Sequence, residues 1–311
     1  MSVSVLENYI GGKFVASASS ETVDVINPAA QSLLCRVPIS TIDEMQAALD
    51  AAQSAFPAWS ATPVQQRARV MMKLLALIQA EKNSKELQDI IVAENGKTRV
   101  DAEGDIARGL EVIEHACAMP TLMMGESLGN ISRNMDTISI KQPLGVVAGI
   151  CPFNFPAMIP MWMFPVAITA GNTFILKPSE KVPGASMILA RLCAEAGLPP
   201  GVLNIVHGTA EAVNFICDHP LIKAVSFVGS LGVGTHVWRR CSAVGKRAQC
   251  NLGAKNHAVI MPDADKHHTI TCLLGAAFGA AGQRCMCGRL VLTFCLFRLH
   301  FIRALFDSFR S

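Results

Sequence analysis

The chain is predicted to be an α/β protein: a Rossmann-like, doubly wound parallel sheet followed by the start of a second α/β domain. Three observations carry this. From about residue 143 short apolar runs alternate with helical stretches, the pattern of a parallel sheet wrapped by helices. A chain of 311 residues, 51% apolar and only 16% charged, can bury a large core and is long enough for two domains. A further strand and helix lie beyond Asn251, after the sheet region has ended.

Taken in order, the first 35 residues carry Gly11-Gly12, Asn27-Pro28 and alternating Val23 and Val25, which predict short strands joined by turns. Asp43 to Trp59 and Gln65 to Asn95 are rich in Ala, Leu, Met, Lys and Glu at helical spacing, with Thr62 as an N-cap and Pro63 at the first helical position. Asp101 to Ala118 gives another helix. Strands are expected at Gly145 to Ile150, Thr173 to Leu176, Val202 to Val206 and Ala224 to Val228, separated by helices at Ser186 to Ala196, Ala210 to Asp218 and Val233 to Cys241. Such a sheet binds ligands at the carboxyl ends of its strands, so the loops starting at Cys151, Lys177, His207 and Gly229 should line a crevice. Beyond Asn251, a strand (Ala258 to Met261) and a helix (Asp265 to Ala281) lead to Gly282-Gln283-Arg284-Cys285.

Composition removes several classes of function. The net charge of +3 is spread as single Lys and Arg residues with no basic block, which argues against nucleic acid. Residues 142 to 176 contain no charged side chain, but Pro143, Pro152, Pro156, Pro160 and Pro165 would break a lipid-exposed helix, so a buried strand, loop and short helix is expected rather than a membrane span. Leu290 to Phe306 is interrupted by Arg298, His300 and Arg303 and also falls short of a span. Eleven cysteines scattered through a long chain without a secretory signal point to a reducing compartment. Cys285-Met286-Cys287 lacks a second ligand pair at zinc spacing, so no metal is expected.

Four segments carry chemistry. Gly229-Ser230-Leu231-Gly232-Val233-Gly234 follows a strand and opens a helix, so its amides could receive a pyrophosphate, or it is simply a turn needing flexible residues. Lys177-Pro178-Ser179-Glu180 follows an apolar strand, where a lysine and a carboxylate could both reach a ribose, or form a solvated turn. Cys285 follows a Gly-Ala-rich helix and has Arg284 beside it, a positive charge that favours a nucleophilic thiolate. Asn154 is an amide in an apolar loop bracketed by Pro152 and Pro156 and needs a partner, from the protein or from a ligand.

Pro152-Phe153-Asn154-Phe155-Pro156, Leu176-Lys177-Pro178-Ser179-Glu180, Phe227-Val228-Gly229-Ser230 and Gly282-Gln283-Arg284-Cys285-Met286, in this order and at these separations, resemble the aldehyde dehydrogenase superfamily from about Asn8 to Met286. The resemblance implies that fold, with Cys285 as nucleophile and Asn154 donating to the oxyanion together with the Cys285 amide. It places Lys177 and Glu180 on the adenosine ribose of NAD, Gly229 and Ser230 at the pyrophosphate, and Cys151, Phe153 and Lys181 along the cofactor cleft. It further implies an NAD-binding domain over 1–250, including N-terminal helices and part of the oligomerisation strands near 120–142, and the beginning of a catalytic domain over 251–286.

One departure from the wider superfamily is informative. The usual Glu-Leu-Gly-Gly-Lys segment, whose glutamate activates water to hydrolyse the thioester, reads Asn251-Leu252-Gly253-Ala254-Lys255-Asn256-His257 here. An amide cannot serve as that general base. This resembles the CoA-acylating branch that acts on methylmalonate semialdehyde. Coenzyme A is then the co-substrate, and Arg108 and Arg284 correspond to the arginines expected on the substrate carboxylate. The branch implies valine catabolism, a tetrameric homo-oligomer at full length and the mitochondrial matrix, although an Arg-rich, Ser-rich leader is not seen, which would suit a mature or cytoplasmic form. Cys287 to Ser311 is expected to be a divergent tail on a truncated chain, with Phe294, Phe297, Phe301, Phe306 and Phe309 short of packing partners. A hydrolytic aldehyde dehydrogenase, or an inactive isoform acting only as a partner of full-length subunits, are the competing readings.

Overall fold

The computed structural model describes residues 4–293. The chain divides into two units, one ending at Asn251 and the other beginning at Leu252. The first opens with β1 (Asn8–Ile10), β2 (Lys13–Val15), β3 (Thr22–Ile26) and β4 (Leu33–Pro38). Four helices follow: α1 (Ile42–Ala61), α2 (Val64–Gln79), α3 (Glu81–Asn95) and α4 (Arg99–Cys117). A single turn α5 (Met119–Leu122) leads to the hairpin β5 (Ser127–Ser132) and β6 (Met135–Ile138). Then strands and helices alternate: β7 (Val146–Ile150), α6 (Met158–Thr169), β8 (Thr173–Lys177), α7 (Gly184–Glu195), β9 (Leu203–Ile205), α8 (Ala210–Asp218), β10 (Ile222–Val228), α9 (Leu231–Ala243) and β11 (Arg247–Asn251).

The main sheet runs β11-β10-β7-β8-β9-β1-β2, parallel from β11 to β9 and antiparallel at the β1 and β2 edge. Its strands β7 and β8 are buried along their whole length, which is why they read as unbroken apolar runs rather than alternating ones. After β7 the chain winds outward through β8 and β9, then returns to place β10 on the other side of β7. That reversal is a topological switch point, and it opens a crevice between the carboxyl ends of β7 and β10.

The charge-free region 142–176 is β7, α6 and β8, as expected. Helix α6 is apolar nearly all round because it lies in the core, with Phe164 and Ile168 fully buried, and the Thr169 hydroxyl donates to the carbonyl of Pro165. Among the described residues no helix is long and apolar enough to cross a membrane.

Two local expectations are corrected. The run from Gln65 to Asn95 is two helices, because Ala80 turns to ψ 129° and the Asn83 amide donates to the Leu77 carbonyl freed at the end of α2. Nothing in the helix-favouring residues around Ala80 marks this break. Thr62 does not cap α2: its hydroxyl donates back to the Ala58 carbonyl and closes α1, leaving Pro63 as the N-cap. Buried Arg67 joins these ends to the core, donating to the carbonyls of Thr169, Ser60 and Thr62.

The second unit contains β12 (Asn256–Ile260), α10 (Lys266–Phe278) and β13 (Gly288–Thr293), with β12 and β13 paired in parallel. Helix α10 is shorter than expected. Its continuation, Gly279 to Gly282, is a single tight turn in which Ala280, Ala281 and Gly282 adopt left-handed backbone angles. The expected divergent tail, Cys287 to Ser311, begins with the paired strand Gly288–Thr293; its five phenylalanines and most of Leu290 to Phe306 lie outside the described residues.

Candidate active site

In the first unit, a cleft of about 560 Å³ lies at the switch point. One wall is the end of β7 with Cys151, Pro152 and Phe153; another is the end of β8 with Lys177, Ser179, Glu180 and Lys181; the third is Gly229 and Ser230 at the start of α9. The seven cleft residues named from sequence are thus brought together. Thr209, Ala210, Val213 and Asn214 also line it. Their loop was expected there, but small and apolar residues at a helix start carry no signal that singles them out.

The Lys177 side chain is almost wholly buried, and its ammonium donates to the Pro178 carbonyl and to Glu180 Oε2 at 3.2 Å. The pair fixes the Glu180 carboxylate at the cleft wall while leaving it partly exposed to a ligand. The Lys181 ammonium stands 5.2 Å from the Phe153 ring, a cation–π contact that joins two walls. Burial pushes the Cys151 thiol well above its ordinary range, so Cys151 is a neutral, apolar wall residue. Gly229 must be glycine: a Cβ there would come within 2.5 Å of the Phe227 ring. Its amide donates to the Asn251 carbonyl, whereas Ser230 caps α9 without using its side chain, so donors of the first turn remain available to an anion.

Asn154 sits in the loop between β7 and α6, half-buried, with its neighbours firmly held. Asn95 Nδ2 donates to the Phe153 carbonyl at 2.7 Å, and the Lys97 ammonium lies 4.0 Å over the Phe155 ring. Arg108 is exposed on α4 and forks onto Glu111 at 2.8 and 3.0 Å. Asn251 is the last residue of β11, its side chain exposed at the carboxyl edge of the sheet beside β10.

In the second unit Cys285 is exposed and Cys287 buried. The carbonyls of both accept from Asn256 Nδ2, at 2.8 and 3.1 Å, so one amide holds the turn on either side of Met286. An asparagine after Lys255 carries no sequence signal for this role. The Arg284 guanidinium folds back against Gly279, where a Cβ would meet it at 2.8 Å. Among the described residues no group of three His, Cys, Asp or Glu side chains is placed to hold a metal.

A cleft at the switch point, with a Lys-Glu pair on one strand end and a helix start on another, defines an α/β protein of the Rossmann-like class. The aldehyde dehydrogenase family model matches residues 14–306, beyond Met286 where the motif resemblance stops, and the chain belongs to the aldehyde dehydrogenase family. Its relatives include the mitochondrial acylating methylmalonate-semialdehyde dehydrogenase of Arabidopsis thaliana, 61% identical over 90% of this chain and 46% of the relative. The human mitochondrial methylmalonate-semialdehyde/malonate-semialdehyde dehydrogenase is 56% identical over 92% and 53%. A Sinorhizobium meliloti 1021 protein assigned to the same activity and crystallised with NAD matches with a TM-score of 0.96 and 44% identity, covering all of this chain and 63% of its own. The enzyme from Oceanimonas doudoroffii matches at 0.95 and 41%, covering 99% and 63%. The chain spans about half the length of the curated relatives it matches.

Proposed function

We propose that the chain carries the NAD-binding and nucleophilic parts of a CoA-acylating dehydrogenase that converts malonate or methylmalonate semialdehyde into acetyl-CoA or propionyl-CoA and carbon dioxide. The observation that carries this reading is Asn251 at the carboxyl edge of the sheet, where a hydrolytic enzyme needs a carboxylate. An amide can orient water but cannot take its proton, so a thioester would persist until a thiol displaced it.

The cleft suits NAD in its chemistry. The Glu180 carboxylate, steadied by Lys177, can accept from ribose hydroxyls, and the start of α9 at Gly229 and Ser230 offers amide donors to a pyrophosphate. When bound, NAD supplies the hydride acceptor. Phe153, Cys151 and Lys181 line the same cleft. Cys285 Sγ attacks the aldehyde carbon, and the Asn154 amide and the Cys285 N–H stabilise the oxyanion, a type of contact worth about 3 kcal/mol per donor. Arg108 and Arg284 hold the substrate carboxylate until it leaves as carbon dioxide, the electron pair passing into the thioester as an enolate whose α-carbon then takes a proton from water; this requires Arg108 to exchange Glu111 for substrate. The thiol of CoA then takes the acyl group and returns Cys285.

The names of the relatives support a mitochondrial location, for which the matrix is our reading. The exposed apolar hairpin β5 and β6 supports assembly as a homo-oligomer, which the family resemblance makes a tetramer at full length. The direct test is to incubate the purified chain with NAD, malonate semialdehyde and CoA and to identify products by mass spectrometry. Acetyl-CoA is expected; free acetate as the sole product, with or without CoA, would overturn the reading.

A further inference from the structure

Helix α6 lacks a cap of its own. Its N-cap residue is Ala157, which has no side chain able to accept from the first turn. The acceptor comes instead from another helix. Asp105 of α4, 1% exposed, takes the Met158 amide on Oδ1 at 2.7 Å and receives the Ala157 amide as well. Its other oxygen, Oδ2, pairs with Lys97 Nζ at 2.7 Å, with both side chains buried. A carboxylate at a helix N-terminus meets the positive end of the dipole, so this is a charge-assisted cap supplied from outside the helix. Lys97 is not only the counter-ion, because its ammonium also covers the Phe155 ring.

Between these anchors stands Asn154. Phe153 is held by Asn95, Phe155 by Lys97, and the helix start two residues on from Pro156 by Asp105. On the same helix as Asp105, one turn later, is Arg108, whose carbonyl accepts from Trp162 of α6 at 3.4 Å. Close approach of the two helices at Gly109, where a Cβ would meet the Met161 side chain at 2.1 Å, completes a rigid piece carrying both the amide and the guanidinium. A buried ion pair is a poor source of stability compared with apolar packing of the same volume. Its use here is geometric.

We propose that Asp105 is a positioning residue for the reaction: with Lys97 it fixes the loop carrying Asn154 relative to the helix carrying Arg108. The inference rests on the functional reading above. Catalysis through oriented donors is sensitive to displacement of about 1 Å, so loosening this loop should lower the rate constant of the chemical step while leaving the Lys177–Glu180 and Gly229–Ser230 walls of the cleft intact.

The test compares the parent chain with Lys97→Met/Asp105→Leu, which keeps the volume and leaves no buried charge unpaired, and with Asp105→Asn, which keeps an acceptor for Met158. Two readouts are taken: amide hydrogen exchange by mass spectrometry, and the rate constant of the NADH burst with malonate semialdehyde. In the double variant, peptides covering 152–159 should exchange on the order of tenfold faster while those covering 173–177 are unchanged, and the burst at saturating NAD should slow about ten- to a hundredfold. Asp105→Asn should recover part of both. Unchanged exchange at 152–159, or an unchanged burst rate, overturns the proposal. A parent chain without any burst overturns the functional reading and with it the catalytic purpose of the clamp, while the exchange comparison still decides whether Asp105 holds the loop.

Discussion

Glu180 makes the first prediction at the scale of single residues. With its carboxylate fixed by Lys177 at the cleft wall and partly exposed, Glu180 would set a like charge against a 2′-phosphate on the ribose. Repulsion on the order of 1–3 kcal/mol should give NAD a ten- to hundredfold advantage over NADP by calorimetry, and Glu180→Gln should narrow it. Equal affinities in the parent chain would count against this placement. Two buried groups outside the cleft should leave opposite marks on stability against pH. Burial pushes the His207 imidazole down to about 4, so the unfolded chain takes up its proton first, and stability is lost as pH falls from about 6.5 toward 4. Burial pushes the Glu94 carboxyl up to about 7, so its contribution is complete below the ordinary value of 4.5 and is lost as pH rises toward 7. Relative to Glu94→Gln, the parent chain should therefore lose roughly 3 kcal/mol between pH 4.5 and 7 in urea titrations. A constant difference across that range would show that Glu94 stays ionised.

Among the elements, α4 and α6 decide where the chemistry sits, and their contact gives a paired prediction on one helix. Gly109→Ala should cost about 1–3 kcal/mol because buried Met161 leaves no room, whereas Gly104→Ala, with open space around it, should stabilise by roughly 0.5–1 kcal/mol. Comparable effects at the two sites in thermal melts would contradict the packing described. The strands of the sheet and the helices between them were legible because β7 and β8 are wholly buried and read as apolar runs, while α8 matched its predicted bounds. The break at Ala80 was not, since it depends on Asn83 reaching the Leu77 carbonyl, a contact with no period of its own. Likewise Asp105 reads in sequence as one more acidic residue on a polar helix. Only the fold shows that it caps α6, because that bond spans 53 positions. Cleft residues next to strand ends were legible; the small residues at the start of α8 were not, since they contribute backbone and shape rather than a distinctive side chain.

At the scale of the whole molecule, the hairpin of β5 and β6 is exposed throughout, with Leu128 at 56%, Met135 at 58% and Ile138 at 73% exposure. Apolar residues on an exposed hairpin suit the proposed homo-oligomer, so Ile138→Lys should shift the chain toward smaller species in sedimentation velocity, and no shift would count against this surface. The proposed chemistry turns on one residue at the edge of the sheet, Asn251, whose amide cannot activate water against a thioester. Rapid mixing of the chain with NAD and malonate semialdehyde tests this most directly, with NADH followed in the presence and absence of CoA. Without CoA the account predicts a burst of about one NADH per Cys285 and then a slow rate, with CoA a faster steady rate, and in Asn251→Glu a steady rate less dependent on CoA. A fast steady state that ignores CoA with Asn251 in place, or no burst at all, would contradict it.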